Sequence, residues 1–322
     1  MKHRIPGGIW LLAAILAAAL VAYACGGSSA PDGPTPVPTP APTPNFPAIM
    51  AAGDISCDSA TPQLPCRARA TSDLILSEKA LRSVVVALPL GDTQYDSGTL
   101  AEFNKNYDAT WGRVNSFAHP AVGNHEYETR GAAGYFDYFA SKGVGVGART
   151  EGWYQFTVGE WHFISLNSNC GQIGGCNVGS AQYRWLQTDL ATNRSKCTVA
   201  YMHHPFQSSG QNGGTPELLP FMRLLYENNV EIVLAGHDHD YERFNPITPD
   251  LVSDTGRGMR LFVVGTGGRD LQGFARPGFA HLAFRNNDHF GVLRIVMKDL
   301  AYDWDWINTE GVSLDKGSGV CF

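Results

Sequence analysis

No cluster of lysines or arginines occurs anywhere in the 322 residues, and the formal net charge is −6. A surface of that kind argues against a nucleic-acid backbone, so no nucleic acid is expected as the main partner. Long apolar runs are scarce as well. The only one, Ile9 to about Ala24, follows Lys2, His3 and Arg4 and falls short of the roughly 20 residues a membrane span needs. It reads as a signal peptide over residues 1–24. No internal repeat and no second linker interrupt the rest, so residues 48–322 read as one large domain.

The apolar run ends at Ala22-Tyr23-Ala24-Cys25, followed by Gly26, Gly27, Ser28 and Ser29. This resembles a bacterial lipoprotein with Cys25 as the acylated first residue, except that Ala22 stands where such sequences usually carry Leu. Ala22-Tyr23-Ala24 is also an Ala-x-Ala cleavage site, which leaves free secretion as the alternative. Residues 25–47 carry a Pro-rich stretch that cannot bury apolar surface and reads as an extended tether. A membrane partner is therefore expected only through a lipid anchor, at the cell surface or in the periplasm.

Cysteine parity points the same way. Of seven cysteines, lipidation of Cys25 leaves Cys57, Cys66, Cys170, Cys176, Cys197 and Cys321, an even number suited to an oxidising compartment. The short spacings favour Cys57 with Cys66 and Cys170 with Cys176, and Cys197 then pairs with Cys321. About fifteen connectivities are formally open to six cysteines.

Five apolar segments each end in a polar donor. Ala48 to Ala52 precedes Gly53-Asp54, Val84 to Leu90 precedes Gly91-Asp92, and Pro120 to Val122 precedes Gly123-Asn124. Thr198 to Met202 precedes His203, and Ile232 to Ala235 precedes Gly236-His237. Helical stretches over Arg67 to Leu81, Ala181 to Thr192 and Glu217 to Glu227 alternate with them, the pattern of strands joined by crossovers. Donors at the carboxyl ends of such strands converge on one edge of a sheet. Trp153 to Val158 and Trp161 to Leu166 read as a hairpin, and Arg260 to Val264, Gly291 to Met297 and Tyr302 to Trp306 as further antiparallel strands. The expected fold is α/β, two packed mixed β-sheets forming a sandwich flanked by helices.

Each motif is weak by itself, since a Gly-Asp after a strand is commonly a turn capping the next helix. His237 and His239 lie two apart and point the same way if extended. The set as a whole supplies the carboxylate, amide and imidazole donors that two adjacent metal ions require.

In order and spacing, the five motifs resemble those of the calcineurin-like metallophosphoesterases, whose αββα fold matches the expectation above. Two details resemble the purple acid phosphatase type: Tyr95, three residues after Asp92, and the run from His237 to Arg243. The resemblance implies that Asp54, Asp92, Tyr95 and His239 hold one metal and that Asp92, Asn124, His203 and His237 hold the other. Hard anionic donors suit Fe(III) at the first position, and imidazoles with an amide suit Fe(II), Zn(II) or Mn(II) at the second. It implies hydrolysis of small phosphate monoesters by a metal-bound hydroxide. His125 would contact the phosphate or protonate the leaving oxygen.

His204 reads either as a residue behind the ligands or as structural. Ser56 stands where the family usually has Gly, the amino-terminal domain of plant-type members is absent, and Gln207 to Leu219 lacks their phosphate-side histidines. A phosphodiesterase acting on cyclic nucleotides or other diesters uses the same metals and is the alternative, and a non-catalytic surface binding module is the alternative of another class. Gly265-Thr266-Gly267-Gly268 reads as a tight turn bordering the site, lacking the Lys-Ser/Thr of a nucleotide loop. Tyr302, Trp304 and Trp306 read as sheet packing, and His281 and His289 as surface or core histidines.

Overall fold

The computed structural model describes residues 46–57 and 66–322. Cys25 and the predicted signal peptide lie outside the described residues, as does nearly all of the tether. In chain order the elements are β1 Ala48–Ala52, α1 Ala68–Leu81, β2 Val84–Pro89, α2 Leu100–Glu102, α3 Ala133–Ser141, β3 Tyr154–Val158, β4 Trp161–Ser165, α4 Ala181–Thr192, β5 Cys197–Tyr201, α5 Leu219–Glu227, β6 Ile232–Ala235, β7 Tyr241–Phe244, β8 Arg260–Val264, β9 Leu282–Asn286, β10 Gly291–Lys298, β11 Ala301–Asn308 and β12 Ser313–Val320. Among the described residues, no helix is long and apolar enough to cross a membrane.

The strands form two mixed sheets, ordered β12-β11-β10-β1-β2 and β3-β4-β5-β6-β8-β7-β9. Period-two alternation sorts the side chains of the parallel strands. Val199, Tyr201, Ile232, Leu234, Phe262 and Val264 join the core that also holds Ile49, Ile295 and Trp306 of the other sheet. Ala200, Val233, Leu261 and Val263 face the opposite way, into a second core with Leu186 of α4 and Phe221 and Leu225 of α5. Burying a side chain of Phe size contributes about 1.5–3 kcal/mol, so a strand covered on both faces is held firmly. That rigidity fixes the loops at its carboxyl end.

Two helices start on a side-chain cap. Thr99 and Glu102 form a reciprocal capping box at α2, and the Ser180 hydroxyl accepts from the Tyr183 amide at α4. Past α2 the chain continues as a π-helical turn Phe103–Tyr107 and a 3₁₀ segment Trp111–Phe117.

Two expectations are corrected, and one strand has no signal in the sequence. The donor-bearing segments do not share one sheet: β1 and β2 belong to one, β5 and β6 to the other, so the donors meet across the sandwich. Pro120 to Val122 is no strand and makes only an isolated bridge between Ala121 and Leu90. Proline at 120 offers no amide hydrogen to a ladder. β12 was invisible because it is Gly-rich, and its glycines are required: a Cβ on Gly317 would stand 2.2 Å from the Trp304 ring.

The three disulfides are Cys57–Cys66, Cys170–Cys176 and Cys197–Cys321, with Cα separations of 5.9, 5.1 and 5.4 Å. The last ties the start of β5 to the chain just past β12, one strand from each sheet.

Candidate metal centre

Three of the candidate ligands occupy strained backbone. Asp54, Asp92 and His237 have φ of 59°, 43° and 73°, a left-handed conformation that costs a non-glycine residue about 1–3 kcal/mol. Contacts between the loops hold them there. Asp54 Oδ2 accepts the His237 amide at 2.8 Å, Asp92 Oδ1 accepts the His125 amide at 2.9 Å, and the Arg269 amide donates to the Asp54 carbonyl at 2.9 Å. The glycines preceding the donors permit this crowding: a Cβ on Gly123 would lie 2.1 Å from Asp92 Oδ1, and one on Gly91 would lie 2.6 Å from His203 Nδ1.

All seven candidate ligands come together. Tyr95 Oη lies 2.7 Å from Asp54 Oδ1, 2.9 Å from Asp92 Oδ2 and 3.1 Å from His239 Nε2. On the other side of Asp92, His203 Nε2 is 3.2 Å from Asp92 Oδ2, 2.9 Å from Asn124 Oδ1 and 3.2 Å from His237 Nδ1. Asp92 therefore stands between two donor sets. Asp54, Asp92, Tyr95, His203 and His239 are buried beneath the partly exposed Asn124, His125, His204 and His237.

The donor chemistry fits cations. His203 Nδ1 donates to the Leu90 carbonyl at 2.9 Å, so a neutral ring turns the Nε2 lone pair toward a carboxylate oxygen and an amide oxygen. Without a cation such an arrangement is tolerable only if the ring is protonated. Burial pushes the His203 imidazole down, but the Asp92 carboxylate outweighs it and raises it to about 9. Likewise burial opposes charge on His239, yet its bonds to Asp270 and Asp54 raise it to about 10. Burial opposes the Asp92 carboxylate too, and His203 overcomes this and holds it low. Tyr95 is pushed well above its usual range by burial and by Asp54 and Asp92. His237 falls to about 4 and His204 to about 2, both first through burial and then through the charge on His203.

His125 flanks the first donor set. Its ring centroid is 4.3 Å from that of Tyr95, its Nδ1 donates to the Asp96 carbonyl at 2.6 Å, and its Nε2 lies 3.9 Å from Asp92 Oδ2. The His204 ring lies against His237, with 4.4 Å between centroids. The Ser56 carbonyl accepts the Tyr95 amide at 2.9 Å, while its hydroxyl, the group that departs from the family's Gly, turns to Thr110 Oγ1 at 3.2 Å and makes no hydrogen bond to the donors.

Several supporting residues escaped the sequence reading. Asp270 receives His239 Nδ1 at 2.6 Å, and no motif marks it. Arg269 lies over the Tyr95 ring, 4.9 Å from its centroid, and bonds Asp96. Both follow the Gly265 to Gly268 turn, which does border the site: Gly267 N donates to the Gly53 carbonyl at 2.9 Å. Glu126 is the fourth residue of Gly-Asn-His-Glu, and the sequence alone gives it no role. Its carboxylate collects the amides of Asp92, Thr93, Gln94 and Gly123 and the Thr93 hydroxyl, at 2.7 to 3.1 Å. Asp238 and Glu242 anchor the segment from Ser208 to Gly213. His281, packed between Phe244 and Phe279, and His289, beside Asn286, make none of these contacts. Trp306 stacks on Tyr241 with centroids 4.3 Å apart, as sheet packing requires.

Residues 48–241 match the family model described as calcineurin-like phosphoesterase. An uncharacterized protein of Mycobacterium tuberculosis is 34% identical over 155 residues, covering 42% of this chain and 29% of that one. Probable purple acid phosphatase 20 of Arabidopsis thaliana is 30% identical over 186 residues, covering 53% of this chain and 42% of the relative. The chain thus spans less than half the length of these relatives. Among solved structures, purple acid phosphatase PPD1 from yellow lupin superposes with a TM-score of 0.73 at 18% identity, over 85% of this chain and 53% of that one. With five motifs converging at one site and the family model covering most of the described chain, this protein belongs to the calcineurin-like phosphoesterase family.

Proposed function

We propose that the protein hydrolyses small phosphate monoesters at a two-metal centre. In this reading Asp54, Asp92, Tyr95 and His239 hold one ion, and Asp92, Asn124, His203 and His237 hold the second. The observation that carries it is the position of Asp92 Oδ2, 2.9 Å from Tyr95 Oη and 3.2 Å from His203 Nε2, one carboxylate oxygen facing both donor sets. The purple acid phosphatase relatives support the ester class.

Bound ions, a trivalent iron with Fe(II), Zn(II) or Mn(II), would clamp the phosphoryl oxygens and acidify the attacking water. The chain's own residues set the geometry. Asp270 turns His239 so that Nε2 faces inward, and Leu90 does the same for His203. The Nδ1 of His125 is tied to Asp96, which leaves Nε2 to pass a proton to the leaving oxygen. Glu126 fixes the loop that presents Asp92.

Three disulfides support export to an oxidising compartment. We place the domain on a Pro-rich tether from a lipidated Cys25, cleaved from its signal peptide.

The test compares p-nitrophenyl phosphate with bis-p-nitrophenyl phosphate on metal-replete protein of known elemental content. Faster release from the monoester, lost in Asp92→Ala, is expected. Preference for the diester would make it a phosphodiesterase, and no turnover with iron, zinc or manganese would leave a surface binding module.

A further inference from the structure

The mouth of the centre carries four partly exposed side chains, Asn124, His125, His204 and His237. Three have roles in the proposed reaction, and His204 has none. Yet its ring centroid stands 4.4 Å from that of His237 and 5.0 Å from that of His203, and one nitrogen of each ring lies within 4.8 Å of the other two. Any group seated over the second donor set meets this ring.

Its hydrogen bonds specify which ring nitrogen carries the proton. Ser168 Oγ accepts the His204 backbone amide at 2.9 Å and lies 2.8 Å from His204 Nδ1. The Ser168 side chain is buried, and its hydroxyl makes no other hydrogen bond among the described residues. Giving the hydroxyl hydrogen its one acceptor among the described residues assigns it to Nδ1, which makes Nδ1 an acceptor and leaves the proton of a neutral ring on Nε2. His125 is wired the opposite way, since its Nδ1 donates to a carbonyl and a neutral ring keeps Nε2 bare. A phosphoryl oxygen is an acceptor only. His204 therefore offers a phosphoryl oxygen a donor while its ring is neutral, whereas His125 offers one only in the protonated form in which it serves as the proposed acid.

We propose that His204 is a substrate-binding residue whose Nε2–H donates to a phosphoryl oxygen of the ester, with Ser168 as the positioning residue that fixes its tautomer. This rests on the phosphoesterase reading and adds a specific contact to it.

Metal-replete wild-type, His204→Ala, His204→Gln, Ser168→Ala and the Ser168→Ala/His204→Ala double variant are compared. Binding of inorganic phosphate is measured by calorimetry, alongside KM and kcat for p-nitrophenyl phosphate and bound metal by elemental analysis. A hydrogen bond to a charged group corresponds to about a tenfold change in affinity. His204→Ala should weaken phosphate binding and raise KM by about tenfold with both metal ions retained. His204→Gln, with an amide donor, should recover part of the loss. Ser168→Ala should have a smaller effect, and the double variant should be no worse than His204→Ala alone, a non-additivity that a merely structural serine would not show. Unchanged phosphate binding and KM in His204→Ala would overturn the proposal, and so would loss of a metal equivalent, which would make His204 a ligand. If wild-type protein neither binds phosphate nor turns over, the phosphoesterase reading itself falls; if it does both, only the assignment of His204 is at stake.

Discussion

The carboxylate of Asp270 lies 2.6 Å from Nδ1 of His239, thirty-one residues away in sequence. That bond fixes the tautomer and turns Nε2 to within 3.1 Å of Tyr95 Oη and 3.3 Å of Asp54 Oδ1. Carboxylates behind ligating histidines typically change metal affinity about 10–100-fold. Asp270→Asn should therefore weaken binding of one metal equivalent by that factor and leave the second in place. Competition with a chelator, read by elemental analysis, checks it.

Without metal, His203 raised to about 9 and His239 raised to about 10 are both protonated at pH 7, as is Tyr95. Loading the centre must displace those protons, so uptake should acidify the solution and affinity should fall as pH falls. Calorimetry in buffers of different ionisation enthalpy measures the protons released.

The same shifts give metal-free protein a pH-dependent stability. Both histidines bind their proton more tightly folded than unfolded, so their contribution is full below about 6.5, the unfolded value. It is lost as pH rises through about 9 and 10. Asp240, raised to about 9 by burial and by Glu242 and Asp238, acts in the same direction from acid pH upward. The metal-free protein should melt at lower temperature at pH 9.5 than at pH 6.5. A flat profile between those values would contradict the assignment.

Glu126 accepts five hydrogen bonds from the loops that carry Asp92 and Asn124. Glu126→Gln replaces one acceptor oxygen by a donor facing amide hydrogens. Leaving such groups unpaired in a buried site costs about 1–3 kcal/mol each. The melting temperature should drop, and metal affinity with it, whereas Glu128→Gln on the same turn should change neither. Thermal melts with and without metal separate the two effects.

Five of the seven candidate ligands, Asp54, Asp92, Asn124, His203 and His237, are legible because each follows a local signature, an apolar run and usually a glycine before the donor. Tyr95 and His239 are marked only by their spacing from Asp92 and His237. Four of the first five, all but Asn124, follow strands that are almost wholly buried and therefore plainly apolar. Asp270 and Ser168 carry no such signature, since their partners His239 and His204 lie 31 and 36 residues away and only the closed sandwich brings them near. β7 was hidden for a related reason. Its Arg243 looks like a surface residue until it pairs with Asp315 of β12 at 2.7 Å, a neutralisation that no local window contains.

On the two-metal reading, Tyr95 sets which ion the first donor set favours. Its hydroxyl donates to Asp54 and Asp92, and ionisation would pack a third negative charge against two buried carboxylates. Burial and those two charges hold the phenol well above its ordinary range, so only a strongly charged cation at this position can displace the proton. Loaded with iron and oxidised, the protein should show a visible absorption band, lost in Tyr95→Phe. Loaded with zinc or manganese alone, it should be colourless and tolerate Tyr95→Phe with activity within about tenfold, since an undissociated phenol is a weak ligand. An iron-replete, oxidised protein without colour would show that Tyr95 keeps its proton and acts only as a hydrogen-bond donor to the two carboxylates.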